Sequence, residues 1–139
     1  MSKFKFFTQE RVKFYETDLQ GIMHHTNYFR YLETARVEYM RNLELLKDSD
    51  FTGEPTVTVV EARCAYSNPL KFDEPFKIFV RVSEIKNASM TFEYNIVKTN
   101  ADENVANATV KIATVDRQSF KPTKIDTVMK ERIIAFEGL

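Results

Sequence analysis

The chain has 139 residues, 43% hydrophobic and 29% charged, with 20 Lys+Arg set against 20 Asp+Glu and a formal net charge of zero. That length suits one domain, read as 1–139, whose core needs neither disulfides nor a structural metal. The charge balance removes a global electrostatic pull toward nucleic acid or an anionic membrane, and no stretch nears the ~18 apolar residues of a membrane span.

Cys64 is the only cysteine, which excludes an intrachain disulfide. Its place in an alternating apolar run points to a structural thiol rather than a nucleophile. Met1 to Thr8 lacks the apolar core of a signal peptide, so the expected location is cytoplasmic.

Lys5 to Tyr15 is rich in Phe, Val and Tyr and reads as a first strand. Glu16 to Asn27 breaks that pattern around Gly21 and reads as a loop. From Tyr28 to Lys47 there is neither Gly nor Pro. Tyr28, Leu32, Ala35, Tyr39, Leu43 and Leu46 fall on one stripe at about 100° per residue, widened by Tyr31, Met40 and Phe29. Arg30, Glu33, Arg41 and Glu44 occupy the other side, so the pattern predicts an amphipathic helix with Thr26 or Asn27 as its N-cap. Arg36 projects into the apolar side, where a buried or interfacial ion pair would satisfy it.

After a turn-like stretch from Asp48 to Pro55 the period drops to two. Thr56 to Tyr66, Phe76 to Lys86, Ser89 to Lys98 and Asn104 to Asp116 read as strands. Ser89 to Lys98 is the clearest, with Met90, Phe92, Tyr94 and Ile96 on one face and Thr91, Glu93 and Asn95 on the other. Asn87-Ala88 and Asn100 to Glu103 are of hairpin length, whereas Ser67-Asn68-Pro69 and Asp73-Glu74-Pro75 bracket a longer connection. Ile125, Val128, Met129, Ile133 and Phe136 recur at helical spacing and predict a short C-terminal helix over Ile125 to Phe136. The order is α+β, with short connections favouring one antiparallel sheet packed against a single long helix.

Chemistry concentrates in one place. His24 and His25, the only histidines, lie six and seven residues after Asp18, in the loop that feeds the long helix. Tyr15 to Tyr28 thus gathers two carboxylates, Glu16 and Asp18, two imidazoles and Gly21 before a helix N-terminus. A carboxylate can serve as general base or nucleophile. The unpaired N–H groups and partial positive charge of a helix start suit an oxyanion, and glycine lets the backbone turn between them. Each part also has a plainer use: Asp18 can brace its turn, the histidines can be solvated, and Glu16 can be a structural partner. Adjacent histidines splay apart on a regular backbone and no Cys/His cluster completes a zinc spacing, so no metal is expected. With 3 glycines in the chain, phosphate-cradling loops are excluded.

The run from Val12 through Thr17-Asp18, Gly21, His25 and Asn27-Tyr28 to Arg36 resembles the 4-hydroxybenzoyl-CoA thioesterase family. Within it the chain is most similar to the branch of bacterial acyl-CoA thioesterases associated with the Tol–Pal gene cluster. The likeness extends downstream through Tyr66, Pro69, Asp73 and Phe120-Lys121-Pro122. It implies a hotdog fold, a five-stranded antiparallel sheet wrapped around one long central helix. It implies hydrolysis of acyl-CoA to free acid and CoA, with coenzyme A as part of the substrate and no separate cofactor. Homodimers or homotetramers with active sites at subunit interfaces, no nucleic-acid partner and no stable membrane insertion complete the expectation.

Carried over residue by residue, Asp18 is the catalytic carboxylate, acting as general base or nucleophile. His25 orients the site or assists proton transfer, and backbone N–H groups near His24 and His25 polarise the thioester oxygen. Tyr15, Gly21, His24, Asn27 and Tyr28 contact substrate. Phe14 stands where the branch commonly has a tyrosine, His24 where it often has another aromatic, and Arg36 matches a family arginine. Two other readings use the same fold: a hydratase or dehydratase on acyl thioesters, with His25 paired to Glu16 or Asp18, and a non-catalytic acyl-CoA binding protein. Arg63, Lys71 and Lys86 are either grips for the CoA phosphates or solvated surface.

Overall fold

The computed structural model describes residues 3–46 and 56–139. Its elements are β1 (Phe7–Arg11), a 3-10 turn (Phe14–Glu16), α1 (Thr26–Asn42), β2 (Thr56–Tyr66), β3 (Pro75–Ile85), β4 (Ser89–Lys98), β5 (Asn104–Val115) and α2 (Thr127–Glu137). Lys47, the expected last residue of the long helix, and the turn expected over 48–55 lie outside the described residues.

The strands form one antiparallel sheet in the order β1-β3-β4-β5-β2. Short connections make β3, β4 and β5 a meander, and β1 and β2 take the two edges. Register shifts between Val59 and Glu61, Val82 and Glu84, and Ile96 and Val97 interrupt three of the strands. Such bulges bend a strand and increase its twist, which helps the sheet curl around a helix. α1 packs on β3 and β1, and α2 packs on β3.

Periodicity decides which side chains meet. Tyr28, Tyr31, Leu32, Ala35 and Tyr39 of α1 are buried with Phe76, Ile78, Val80 and Val82 of β3 and Met90, Phe92, Tyr94 and Ile96 of β4. Tyr31 meets Phe76 edge-on at 5.0 Å between centroids, and Tyr39 meets Phe92 at 5.7 Å, a geometry that adds to plain area burial. This is the hotdog arrangement.

Several boundaries differ from the sequence expectation, each for a physical reason. β1 ends at Arg11 rather than Tyr15, because Glu16 Oε1 accepts the Lys13 N–H at 2.8 Å and draws the chain into the 3-10 turn. Phe14 and Tyr15, whose aromatic character suggested strand, stand 75% and 77% exposed. α1 starts at Thr26 with His25 as N-cap, not Thr26 or Asn27. The His24 ring takes the capping role instead: its Nδ1 lies 2.7 Å from the Thr26 hydroxyl and accepts the Thr26 N–H at 3.3 Å.

α1 ends at Asn42, followed by Glu44 at φ 58°. There Arg132 of α2 donates to the carbonyls of Leu43 and Glu44 at 3.3 and 3.0 Å, which satisfies acceptors a helix end leaves open. α2 itself begins at Thr127, not Ile125, because Asp126 caps it by accepting the Met129 N–H at 3.1 Å. Arg36 has the exposed Glu33 as its ion-pair partner, at 3.9 Å, and its guanidinium lies beside the buried Tyr94 hydroxyl, which burial holds above the usual phenol range.

The outer face of β4 carries two polar anchors. Asn95 is only 6% exposed; its Nδ2 donates to Asn104 Oδ1 and Asn107 Oδ1, each at 2.6 Å. Glu93 accepts from Lys3 at 2.7 Å and Arg81 at 2.8 Å. Burial works to raise the Glu93 pKa, but the two cations together outweigh it and leave the carboxyl below its ordinary 4.5. A depressed folded-state pKa contributes stability above the unfolded value that is lost as pH falls through the folded one. The melting-temperature difference between the wild type and Glu93→Gln should therefore be positive near neutrality and close as pH falls below the ordinary value of 4.5, as thermal scans at several pH values would read.

Candidate active site

Between the 3-10 turn and α1 the chain makes a narrow loop, closed by a bridge between Thr17 and Met23 and by the Asp18 N–H donating to Ile22 O at 2.9 Å. At its tip the Gly21 N–H donates to Asp18 O at 3.0 Å, and the Gln20 N–H donates to Asp18 Oδ1 at 2.8 Å. This is an Asx-type turn. Gly21 sits at φ 77° with no atom within 4 Å of where a Cβ would stand. Glycine is needed there for its dihedral freedom, not for space.

The segment 70–72 holds this loop to the domain. Met23 N–H donates to Leu70 O at 2.7 Å, Phe72 N–H donates to Gly21 O at 3.3 Å, and Ile22 bridges Lys71. Asp18 is consequently half-buried, with one oxygen engaged by its own turn.

The tip of α1 is largely satisfied from within. His24 N–H donates to Glu16 O at 2.9 Å, Asn27 N–H to His24 O at 3.0 Å and Tyr28 N–H to His25 O at 3.3 Å. With the Thr26 amide on the His24 ring, the His25 N–H is the one backbone donor from 24 to 28 without an acceptor among the described residues. Of the two amides expected to polarise a carbonyl, that of His24 is already committed.

The predicted residues fall into three groups. Asp18 and His25 lie at the two ends of one loop, and no hydrogen bond or ion pair among the described residues joins them. The His25 ring is exposed, 4.5 Å from that of His24 and 6.5 Å from that of Tyr66. Tyr15 points outward beside Phe14, which packs edge-on against Phe72 at 5.4 Å. Asn27 and Tyr28 turn inward: Asn27 Nδ2 donates to Glu16 O at 2.9 Å, and Tyr28 is 3% exposed. Its ring lies 4.9 Å from that of Tyr66. Burial first, then the neighbouring Cys64 and Tyr66, push the Tyr28 phenol up to about 12.

Sequence reasoning gave no site role to Tyr66 or Leu70, whereas its reading of Glu16 as a structural partner matches the carboxylate's bonds to Lys13 N–H and the Tyr31 hydroxyl. Tyr66 OH donates to His25 O at 3.3 Å, and burial, with Cys64 beside it, raises its phenol to about 12. The available signal was the connection between Tyr66 and Pro75, too long for a meander turn; long ordered connections often carry function. Cys64 is half-buried, and burial raises its thiol above the usual value, which makes it a poor nucleophile. Lys86 pairs with Glu84 at 3.7 Å. Arg63 lines a cavity of about 790 Å³ with Lys3, Asn95 and Asn107, and neither Asp18 nor His25 borders it.

Among the described residues no group of three or more His, Cys, Asp or Glu is disposed to hold a metal ion, and no helix is long and apolar enough to cross a membrane.

The family model of the thioesterase-like superfamily matches residues 12–133. The acyl-CoA thioesterase YbgC of Haemophilus influenzae is 30% identical over 121 residues, covering 86% of this chain and 88% of that one. The crystal structure of a hypothetical protein from Aquifex aeolicus superposes with a TM-score of 0.83 at 35% identity, over 92% of this chain and 98% of the other. The 1,4-dihydroxy-2-naphthoyl-CoA thioesterase from Synechocystis shares the fold, with a TM-score of 0.85 at 14% identity over 92% and 94% of the two chains.

Proposed function

Because this chain belongs to the thioesterase-like superfamily, we propose that it is an acyl-CoA thioesterase that hydrolyses acyl-CoA to a free acid and CoA. One observation carries the reading: a half-buried carboxylate, Asp18, begins a pinned loop that ends at a helix tip with the His25 amide open. Water, activated as Asp18 takes its proton, adds to the thioester carbon; alternatively Asp18 attacks that carbon directly and water releases the acid. The His25 N–H receives the developing oxyanion, an interaction typically worth ~3–4 kcal/mol of barrier. The C–S bond then breaks, and the CoA thiolate leaves and takes up a proton. The exposed His25 imidazole can pass that proton. The spacing of Asp18, Gly21, His25 and Asn27-Tyr28, together with the likeness to the Haemophilus protein, supports membership of the Tol–Pal-associated branch.

The site is built for a second copy. β2 is an eleven-residue edge strand with Val57, Val59 and Val60 each about half exposed, and a bare apolar edge of that length invites strand pairing. Tyr66, the last residue of that edge, touches His25, so pairing along β2 would bring a partner's residues beside the helix tip. Homodimers, alone or paired into tetramers, with sites at the interface follow from this reading. The lone Cys64 accords with a reducing compartment, the cytoplasm.

The purified protein, given short, long and aromatic acyl-CoA thioesters, should release thiol without added metal, and light scattering should give at least twice the chain mass. No thiol from any member of the series would overturn the activity. Hydration of an enoyl-CoA without thiol release would move the assignment to the hydratase reading, and an active monomer would remove the shared site.

A further inference from the structure

We propose that Glu16 and Asn27 are positioning residues: together they clamp the Asp18 loop to the tip of α1 and so set where the carboxylate stands relative to the His25 amide. The inference rests on Asp18 being the catalytic group.

Glu16 is buried, 8% exposed, and four bonds converge on it from both sides of the loop. Its Oε1 accepts the Lys13 N–H at 2.8 Å and the Tyr31 hydroxyl at 2.6 Å. Its backbone carbonyl accepts the His24 N–H at 2.9 Å and Asn27 Nδ2 at 2.9 Å. Lys13 precedes the loop, whereas His24, Asn27 and Tyr31 follow it. None of these four donors lies in a strand, and the cluster meets the sheet only where the Tyr31 hydroxyl comes within 3.5 Å of Arg11 O at the end of β1. It joins the residue two before Asp18 to His24 and Asn27, one before and two after His25, and to α1 one turn further on.

Burying a carboxylate costs free energy unless it is well hydrogen-bonded, and here its bonds to Lys13 N–H and the Tyr31 hydroxyl fix a loop against a helix. A displacement of about 1 Å at a reacting group can cost ~10²-fold in rate, which is the scale on which such a clamp acts. Asn27 is turned toward this carbonyl, with one of its two amide hydrogens engaged there; on this proposal it acts on substrate through Glu16 rather than by contact.

Three variants test the clamp. Asn27→Ala removes the side-chain bond to Glu16 O. Tyr31→Phe removes the hydroxyl but keeps the ring against Phe76. Glu16→Gln keeps an oxygen that can accept from both Lys13 and Tyr31. Asn27→Ala and Tyr31→Phe should each lower kcat by ~10–100-fold with KM held within about threefold, while Glu16→Gln stays within about threefold of wild type. Amide hydrogen exchange at His24 should quicken in Asn27→Ala. A rise in KM at constant kcat would make Asn27 a substrate contact and overturn the proposal, as would unchanged kcat or unchanged exchange at His24. The exchange measurement needs no turnover. If the wild type hydrolyses no acyl-CoA, the functional reading fails while the clamp is still decided.

Discussion

Asp18→Asn is expected to lower kcat for acyl-CoA hydrolysis by about 10²–10⁴-fold and to leave the melting temperature almost unchanged. Asparagine has the same shape and keeps an oxygen where Asp18 Oδ1 accepts the Gln20 N–H at 2.8 Å, so the turn persists. What disappears is the ability to accept a proton or to attack a carbonyl as an anion. Asp18→Ala removes both functions, and the added loss of the turn bond costs about 0.5–1.5 kcal/mol. Equal kcat losses in the two variants, with only the alanine destabilised, would separate the chemical role from the structural one. Wild-type turnover in the asparagine variant would eliminate Asp18 as base and as nucleophile.

The largest loss of stability outside the packed core is expected from Glu137→Ala. The Val80 N–H donates to Phe6 O at 3.1 Å, and the Val82 N–H, two residues on, faces the same side of β3 past the last β1 pair, Phe7 with Phe79; Glu137 Oε2 accepts it at 3.0 Å. The same oxygen accepts the Tyr39 hydroxyl at 2.5 Å. Tyr39 and Val82 are both fully buried. Burial, then the adjacent carboxylate, hold the Tyr39 phenol far above its ordinary range, so it remains a donor wherever the protein is folded.

Leaving two buried donors unpaired costs about 1–3 kcal/mol each. Against that, Glu137 Oε1 is buried without a partner among the described residues, and truncation relieves its desolvation. The net expectation is a loss of about 2–4 kcal/mol, read as a lower urea midpoint at constant m. A double-mutant cycle with Tyr39→Phe should show coupling, since the two groups share one bond. A loss below about 0.5 kcal/mol, the level of ordinary surface substitutions, would mean that α2 does not seal this edge of β3.

The two predictions differ in how far the sequence alone could have led to them. Asp18, Gly21 and His25 stand out because their spacing is local and their chemistry depends on residue type. The α1 stripe from Tyr28 to Tyr39 and the alternation of β4 are likewise near-neighbour patterns, and the order of elements follows from where one period replaces the other. Glu137 carries no such mark. Its partners are 98 and 55 residues away, and one of them is a backbone group of β3 beyond the end of β1.

By itself, then, the sequence determined the α+β class, the order of the elements, the face that α1 and β4 present to the core and the segment proposed to carry the chemistry. All of these depend on residues within a few positions of one another. Only the tertiary structure decided that β2 lies at an edge with its apolar face open, that Arg132 closes α1, and that Asn95 is buried on the outer face of the sheet. At the site it likewise decided that the His24 amide is spent on Glu16 and that Asn27 faces inward. A polar group takes whichever partner the folded chain brings within about 3 Å, and that partner is chosen by how the sheet wraps the helix, not by distance along the chain.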